Sequence, residues 1–115
     1  MLDDDKRTCG GGLRRLRIDD EVYRLTRSVA QWYRVPMIQV IGRTKTSRAV
    51  KARQVSIYLA HTLLSRPHDD LADIFGRHAG TISRACHRIE DQRDEPQFDA
   101  RIACLEEGWE MEAAQ

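Results

Sequence analysis

The sequence predicts an all-α fold, a compact bundle of about six helices containing a helix-turn-helix. Three observations carry that prediction. Apolar residues recur at three- and four-residue steps in one segment after another, which gives each segment one apolar helical face. Acidic residues, prolines and glycines punctuate these segments where helices start and stop. Between them, Gly76-Arg77-His78-Ala79-Gly80 joins a short apolar-periodic stretch to a longer basic one, and a glycine-containing turn between two helices is how a helix-turn-helix presents its second helix.

The first helix is expected to begin near Asp19-Asp20-Glu21, whose acids suit a helix N-terminus, and to run to about Tyr33. Its apolar face is read as Val22, Leu25, Val29 and Trp32. Pro36 opens a short second helix, Met37 to Ile41, closed by Gly42. A basic stretch follows, and then a third helix from Ser47 to Leu64 with Val50, Val55, Ile57, Tyr58, Ala60 and Leu63 inward. Ser65-Arg66-Pro67 stops it. The fourth helix spans Asp69 to Phe75, with Leu71, Ile74 and Phe75 inward. The fifth starts at Thr81 and places Ile82, Ala85, Cys86 and Ile89 on one face, leaving Arg84, His87 and Arg88 on the remainder. Beyond Pro96 a last helix runs from Gln97 to Glu107 on Phe98, Ile102 and Leu105. No alternating run reads as a strand, and no repeat or low-complexity segment is present.

These segments divide the 115 residues into a flexible arm at 1–17, a helical domain at 18–107 and a fraying acidic tail at 108–115. Gly10-Gly11-Gly12 makes the arm costly to order, and its Arg14, Arg15 and Arg17 read as solvated cations. Net charge is only +1, but it is unevenly distributed: +2 over residues 1–42, +6 over 43–88 and −7 over 89–115. Five cations, Arg43, Lys45, Arg48, Lys51 and Arg53, fall within 11 residues without an acid. Such a block can meet phosphates, and the acidic end cannot.

Several function classes are set aside on the same grounds. No apolar run approaches the roughly 18 residues of a membrane span, and the acidic start Met1-Leu2-Asp3-Asp4-Asp5 is unlike a signal peptide. A cytoplasmic protein without a membrane partner is therefore expected, nucleoid-associated if its basic block meets DNA. Cys9, Cys86 and Cys104 are odd in number and widely spaced, as for reduced thiols. Neither they nor His61, His68, His78 and His87 show metal-ligand spacing, so neither metal nor cofactor is expected. Ser56, Ser83 and Cys86 have no base and orienting group at a spacing that suggests catalysis, and the chain is read as a non-enzyme.

Several separate blocks, in order, resemble the C-terminal DNA-binding domain (domain IV) of the bacterial replication initiator DnaA. They are Val29-Ala30-Gln31-Trp32-Tyr33, the basic stretch, Ala52-Arg53-Gln54 before Ile57-Tyr58-Leu59-Ala60, Asp73-Ile74-Phe75-Gly76-Arg77, Thr81-Ile82, and Ala85-Cys86-His87-Arg88-Ile89-Glu90. The resemblance covers about Asp20 to Glu107. Stand-alone relatives of that domain, of the HdaB type, are also similar and modulate initiation. The resemblance implies a basic loop entering the minor groove at Lys45, flanked by Arg43 and Arg48. It implies backbone and groove-edge contacts from Arg53 and Gln54, and a phosphate contact from Arg88. Lys51 belongs with the first group, while Arg77, His78, Thr81 and Arg84 serve the turn and the helix after it.

The chain departs from the family in that turn. The family pattern Gly-Gly-Arg-Asp-His-Thr-Thr-Val becomes Gly76-Arg77-His78-Ala79-Gly80-Thr81-Ile82, one residue shorter. Ala79 and Gly80 offer no side-chain hydrogen bond, and each lost bidentate base contact removes about 1–3 kcal/mol of discrimination. His78 remains as the turn's candidate for a base contact. The expectation is binding to double-stranded DNA with weak or altered selectivity, in the regulation of chromosome replication initiation. No ATPase function is expected, since a Walker motif is absent from these residues. The alternative is an adaptor that binds DnaA itself or an Hda-type regulatory protein, using the acidic end and an exposed pair of Trp109 and Met111.

Overall fold

The structure, a computed structural model, describes residues 19–113. The arm expected over residues 1–17 lies outside the described residues. Six α-helices follow in order: α1 Asp20–Tyr33, α2 Met37–Ile41, α3 Ser47–Leu63, α4 His68–Phe75, α5 Ala79–Gln92 and α6 Pro96–Ala113. No strand occurs among the described residues.

Each start has a local cause. Asp19 caps α1, its carboxylate accepting the Val22 N–H at 3.2 Å, and Asp20 and Glu21 complement the positive end of the helix dipole. Arg34 ends α1 in the left-handed region at φ 58°, and the Val35 N–H closes the end on Ala30 O at 2.9 Å. Thr46 caps α3 by accepting the Ala49 N–H at 3.3 Å. Glu95 Oε1 accepts the Phe98 N–H at 2.8 Å at the start of α6, where Pro96 is the first helical residue.

The third helix, α3, is the axis of the bundle, touching α1, α2, α4 and α5. Val55 through Ala60 are all buried, six consecutive positions. A helix buried all round carries no single apolar stripe, which is why its sequence pattern predicts only part of its packing. Around it lie Val22, Leu25 and Val29 of α1, Val40 and Ile41 of α2, and Leu71 and Phe75 of α4. Ile82 and Ile89 of α5 and Ile102 of α6 complete the core.

Several expectations need correction. Trp32 is 46% exposed rather than part of the core. At roughly 100° per residue, Trp32 falls about 80° from Val22 on one side, while Tyr33 falls about 20° from it on the other, toward the buried Thr26 and Ala30, and Tyr33 is the residue that packs. Val50 and Ile74 are only half-buried. The fifth helix begins two residues before Thr81, at Ala79, with the His78 carbonyl accepting the Thr81 and Ile82 N–H groups. The last helix does not fray at residue 108 but continues to Ala113, because Phe98, Ile102 and Trp109 form one buried line along it. Trp109 lies against α1 with the Arg24 guanidinium 5.7 Å from its ring centre, so the exposed Trp109–Met111 pair does not exist; Met111 alone is exposed.

Two arginines lock the bundle at its ends. Arg93, following α5, donates to Asp99 at 2.5 Å and to Glu106 at 2.8 Å on α6, and to the Tyr58 hydroxyl at 3.2 Å on α3. Arg66, between α3 and α4, donates to Asp19 at 3.0 Å and to Glu21 at 2.9 Å at the start of α1. The hydrogen bonds from Arg66 hold the Asp19 carboxyl below its ordinary 3.8, against an opposing effect of burial.

Two stability predictions follow from this packing. Replacing Asp19 with Asn keeps a good helix cap but removes the charge facing Arg66, at a cost of about 1 kcal/mol near neutral pH. Because the folded carboxyl titrates below its unfolded value, that contribution is complete well above pH 3.8 and disappears as pH falls through the lowered folded value. Urea denaturation of both proteins across that range should therefore show two stabilities converging in acid. Trp109→Ala should cost about 3 kcal/mol, read from the same denaturation midpoints, since a large aromatic leaves a cavity between α6 and α1.

Candidate nucleic-acid interface

The turn between α4 and α5 is set by Gly76. Its φ of 67° lies in the left-handed region, which glycine occupies without the steric cost of a side chain. The Arg77 N–H then bonds back to Ala72 O at 2.9 Å, ending α4 and letting α5 start within three residues. Packing of Ile82, Ala85, Cys86 and Ile89 inward turns Arg84, His87 and Arg88 outward.

Between α3 and α5 runs a cleft of about 800 Å³ whose polar walls include Arg53 and Gln54 on α3, Arg77 in the turn, and Thr81, Arg84 and Arg88 on α5, with the acidic Asp91 also in its lining. A neighbouring cleft of about 610 Å³ is lined by Arg43, Asp73, Arg77, His78 and Thr81. Arg77 and Thr81 belong to both, so the basic stretch, the turn and the outer face of α5 form one continuous surface. Eight of the eleven sequence-derived candidates are thus brought together: Arg43, Arg53, Gln54, Arg77, His78, Thr81, Arg84 and Arg88.

Lys45 and Arg48 stand exposed beside this surface, in the loop and the first turn of α3. Neither they nor Arg43 has an ion-pair partner among the described residues. Lys51 is diverted. Its ammonium donates to Gln92 and sits 5.1 Å from the centre of the Phe98 ring. Burial, with Arg88 nearby, holds its pKa below the ordinary lysine value. It is a bridge from α3 to α5 and α6 before it is a surface cation.

Arg53 is also more than a surface cation. Its guanidinium donates to Val40 O at 2.6 Å, Gln39 O at 2.8 Å and Thr44 O at 2.8 Å. Arg77 donates to Gly42 O at 2.6 Å from the opposite side. The last carbonyls of α2 carry the negative end of the helix dipole, and two guanidinium groups satisfy them and the loop carbonyls beyond. The basic stretch is therefore held from α3 and from the turn at once.

His87, Asp91 and Gln92, absent from the sequence-derived candidates, also line the larger cleft. The signal was available: His87 follows Arg84 by three residues and Arg88 precedes Gln92 by four, so all lie along one helical face. Cys86, next to His87, is buried, and burial with Glu90 nearby pushes its thiol up to about 11. It remains a thiol rather than a thiolate at neutral pH. Among the described residues no group of three or more His, Cys, Asp and Glu side chains could hold a metal ion. No helix among them is long and apolar enough to cross a membrane.

Lysine cannot substitute for Arg53, because one ammonium on a flexible stem does not reach three carbonyls in a fixed fork. Arg53→Lys should lower stability by roughly 1–3 kcal/mol and speed amide exchange across residues 39–44, which hydrogen exchange by mass spectrometry reads directly. Unchanged exchange in that segment would show that the guanidinium does not hold the loop.

Residues 22–89 match the family described as bacterial DnaA protein helix-turn-helix. Over 80 residues, the chain is 30% identical to chromosomal replication initiator protein DnaA 1 of Chlamydia pneumoniae, covering 70% of this chain and 17% of that protein. The DnaA initiator of Bartonella quintana is 34% identical over 85 residues, 73% of this chain and 16% of that protein. That of Rhizobium meliloti is 34% identical over 82 residues, 70% and 16% of the respective chains. The chain therefore spans only about a sixth of the length of these curated relatives.

Proposed function

The chain belongs to the bacterial DnaA helix-turn-helix family, and from that premise we propose that it binds double-stranded DNA and regulates the initiation of chromosome replication. The observation that carries the proposal is the continuous surface formed by the basic stretch, the α4–α5 turn and the outer face of α5. A helix-turn-helix places its second helix in the major groove and uses flanking elements on the phosphate backbone. Here α5 is that second helix. The loop bearing Arg43, Lys45 and Arg48 is held beside it by Arg53 and Arg77, at the position from which cations reach phosphates and a narrow minor groove.

In this proposal the roles divide by engagement. Arg43, Lys45, Arg48 and Arg88, exposed, take backbone and minor-groove contacts. Gln54 and Thr81 line the cleft and offer hydrogen bonds at the groove edge. His78, exposed ahead of the first turn of α5, faces the groove with Arg84. Arg53, Arg77 and Lys51 act by holding the loop and helices in place. The protein would act at or near the initiator's own sites in the nucleoid, without nucleotide hydrolysis. The adaptor alternative, directed at DnaA or an Hda-type protein, loses one of its supports because Trp109 is packed inside.

Fluorescence anisotropy tests this with two duplexes, one carrying the initiator's recognition box and one scrambled, titrated over a range of salt concentrations. Affinity should fall linearly on a log–log plot with a slope of about −0.9 per phosphate contacted. Replacing Arg43, Lys45 and Arg48 together with Ala should make that slope shallower by roughly 3 and weaken both duplexes alike. Absence of binding to either duplex at low salt would overturn the proposal in favour of the adaptor.

A further inference from the structure

We infer that Arg84 is the residue through which this surface discriminates between base pairs, by reading a guanine in the major groove. The inference rests on the DNA-binding proposal above and adds to it the source of selectivity. Beyond His78 in the turn, the first two residues of α5 supply none of it. Ala79 and Gly80, the first two residues of the helix, carry no side-chain donor or acceptor. Those are the positions from which a helix-turn-helix reaches base edges, so any base reading by α5 has to be delivered there from further along the helix.

Arg84 delivers it. Long side chains on a helix lean back over the turn N-terminal to them, and Arg84 does so. Its Nη2 donates to Thr81 Oγ1 at 3.3 Å, and its Nη1 lies 3.4 Å from the point a Cβ on Gly80 would occupy. The guanidinium thus covers the helix surface that Gly80 leaves bare. Thr81 is its positioning residue. Arg84 is exposed and makes no ion pair among the described residues, and its Nε and Nη1 donate no hydrogen bond there. It presents a planar, always-charged fork at the leading end of the helix. That geometry matches the two acceptors of guanine, O6 and N7, in the major groove. Arg88 sits one turn further along α5, away from the leading end and near Lys51, where a phosphate contact is the fitting role.

The test separates base reading from backbone attraction. A pool of duplexes with a randomised central segment is selected on the full chain and sequenced. Duplexes differing at single positions are then titrated by anisotropy with the unmodified protein, Arg84→Lys, Arg84→Ala and Gly80→Leu. The unmodified protein should prefer guanine at one position by roughly 5- to 150-fold. Arg84→Lys should keep the salt slope and lose that preference. Gly80→Leu, which favours the helix while crowding the guanidinium off its place, should lose it as well. If Arg84→Ala retains the same guanine preference, Arg84 is not the reader. If Arg84→Ala weakens every duplex equally and makes the salt slope shallower by about 1, the residue contacts phosphate, and the inference also fails. Steep but uniform binding of all duplexes by the unmodified protein overturns the inference and leaves the DNA-binding proposal standing. No binding to any duplex overturns both.

Discussion

The fork of Arg53 on Gln39 O, Val40 O and Thr44 O is the contact on which the candidate interface depends. A short helix of five residues is marginal by itself, since nucleating a helix costs more than one turn of hydrogen bonds returns. Its C-terminal carbonyls and the loop after it would otherwise have to face water in many conformations. Arg53 gathers three of them onto the central helix, and Arg77 takes the Gly42 carbonyl from the turn. Hydrogen bonds from a charged donor are stronger than neutral ones, and here they carry positional information. They fix the exposed cations Arg43 and Lys45 relative to α5. Affinity for a polyanion needs only the charges, but a shared register between loop and helix needs this scaffold.

Two other arginines act in the same way at the ends of the bundle. Arg93 gathers α6 onto α5 and α3, and Arg66 gathers the α3–α4 connection onto α1. Each neutralises part of the acidic complement, so the division between a basic middle and an acidic end is less sharp in the folded chain than in the sequence. Glu106 and Asp99 serve the interior contact with Arg93, leaving Glu107, Glu110 and Glu112 exposed on the last turns of α6. Those acids lie at the end of a helix whose Trp109 is packed on α1. The acidic segment is thereby anchored at Trp109.

Much of this was legible in the sequence because local signals and packing agreed. Asp19, Pro36 and Gly76 each mark a boundary through their own chemistry, and α1 and α5 are amphipathic enough that their faces follow from spacing. The failures have equally local causes. Trp32 is apolar and conveniently spaced, but a residue at the margin of a face can turn outward, and only the packing partner decides. The expectation stops α6 short because the last residues of a chain commonly fray, whereas Trp109 packs on α1. The site was legible as a set of residue types, not as a division of labour. Nothing in the spelling of Arg53 or Arg77 distinguishes a cation used inside the protein from one offered to a partner, because their carbonyl acceptors belong to the backbone and leave no mark in the sequence, and Lys51 meets Gln92, 41 residues away, only through the fold.

That division changes how the charge of the central block should be understood. Residues 43–88 carry a net +6, yet Arg53 and Arg77 are bonded to carbonyls of residues 39–44, Arg66 to Asp19 and Glu21, and Lys51 to Gln92. Hydrogen bonding to neutral carbonyls leaves the charge in place, so Arg53 and Arg77 still contribute to the long-range field that steers a polyanion. They cannot easily change partners at contact, because breaking charge-assisted hydrogen bonds to partly buried carbonyls costs more than a typical surface ion pair returns. The field and the contacts therefore come from different residues. In the proposed complex, steering would draw on the whole block, while short-range contacts would fall to Arg43, Lys45, Arg48, Arg84 and Arg88, the cations of the block whose side chains are exposed. A surface built this way would attract DNA as strongly as its sequence suggests and select among sequences through far fewer side chains than its charge implies.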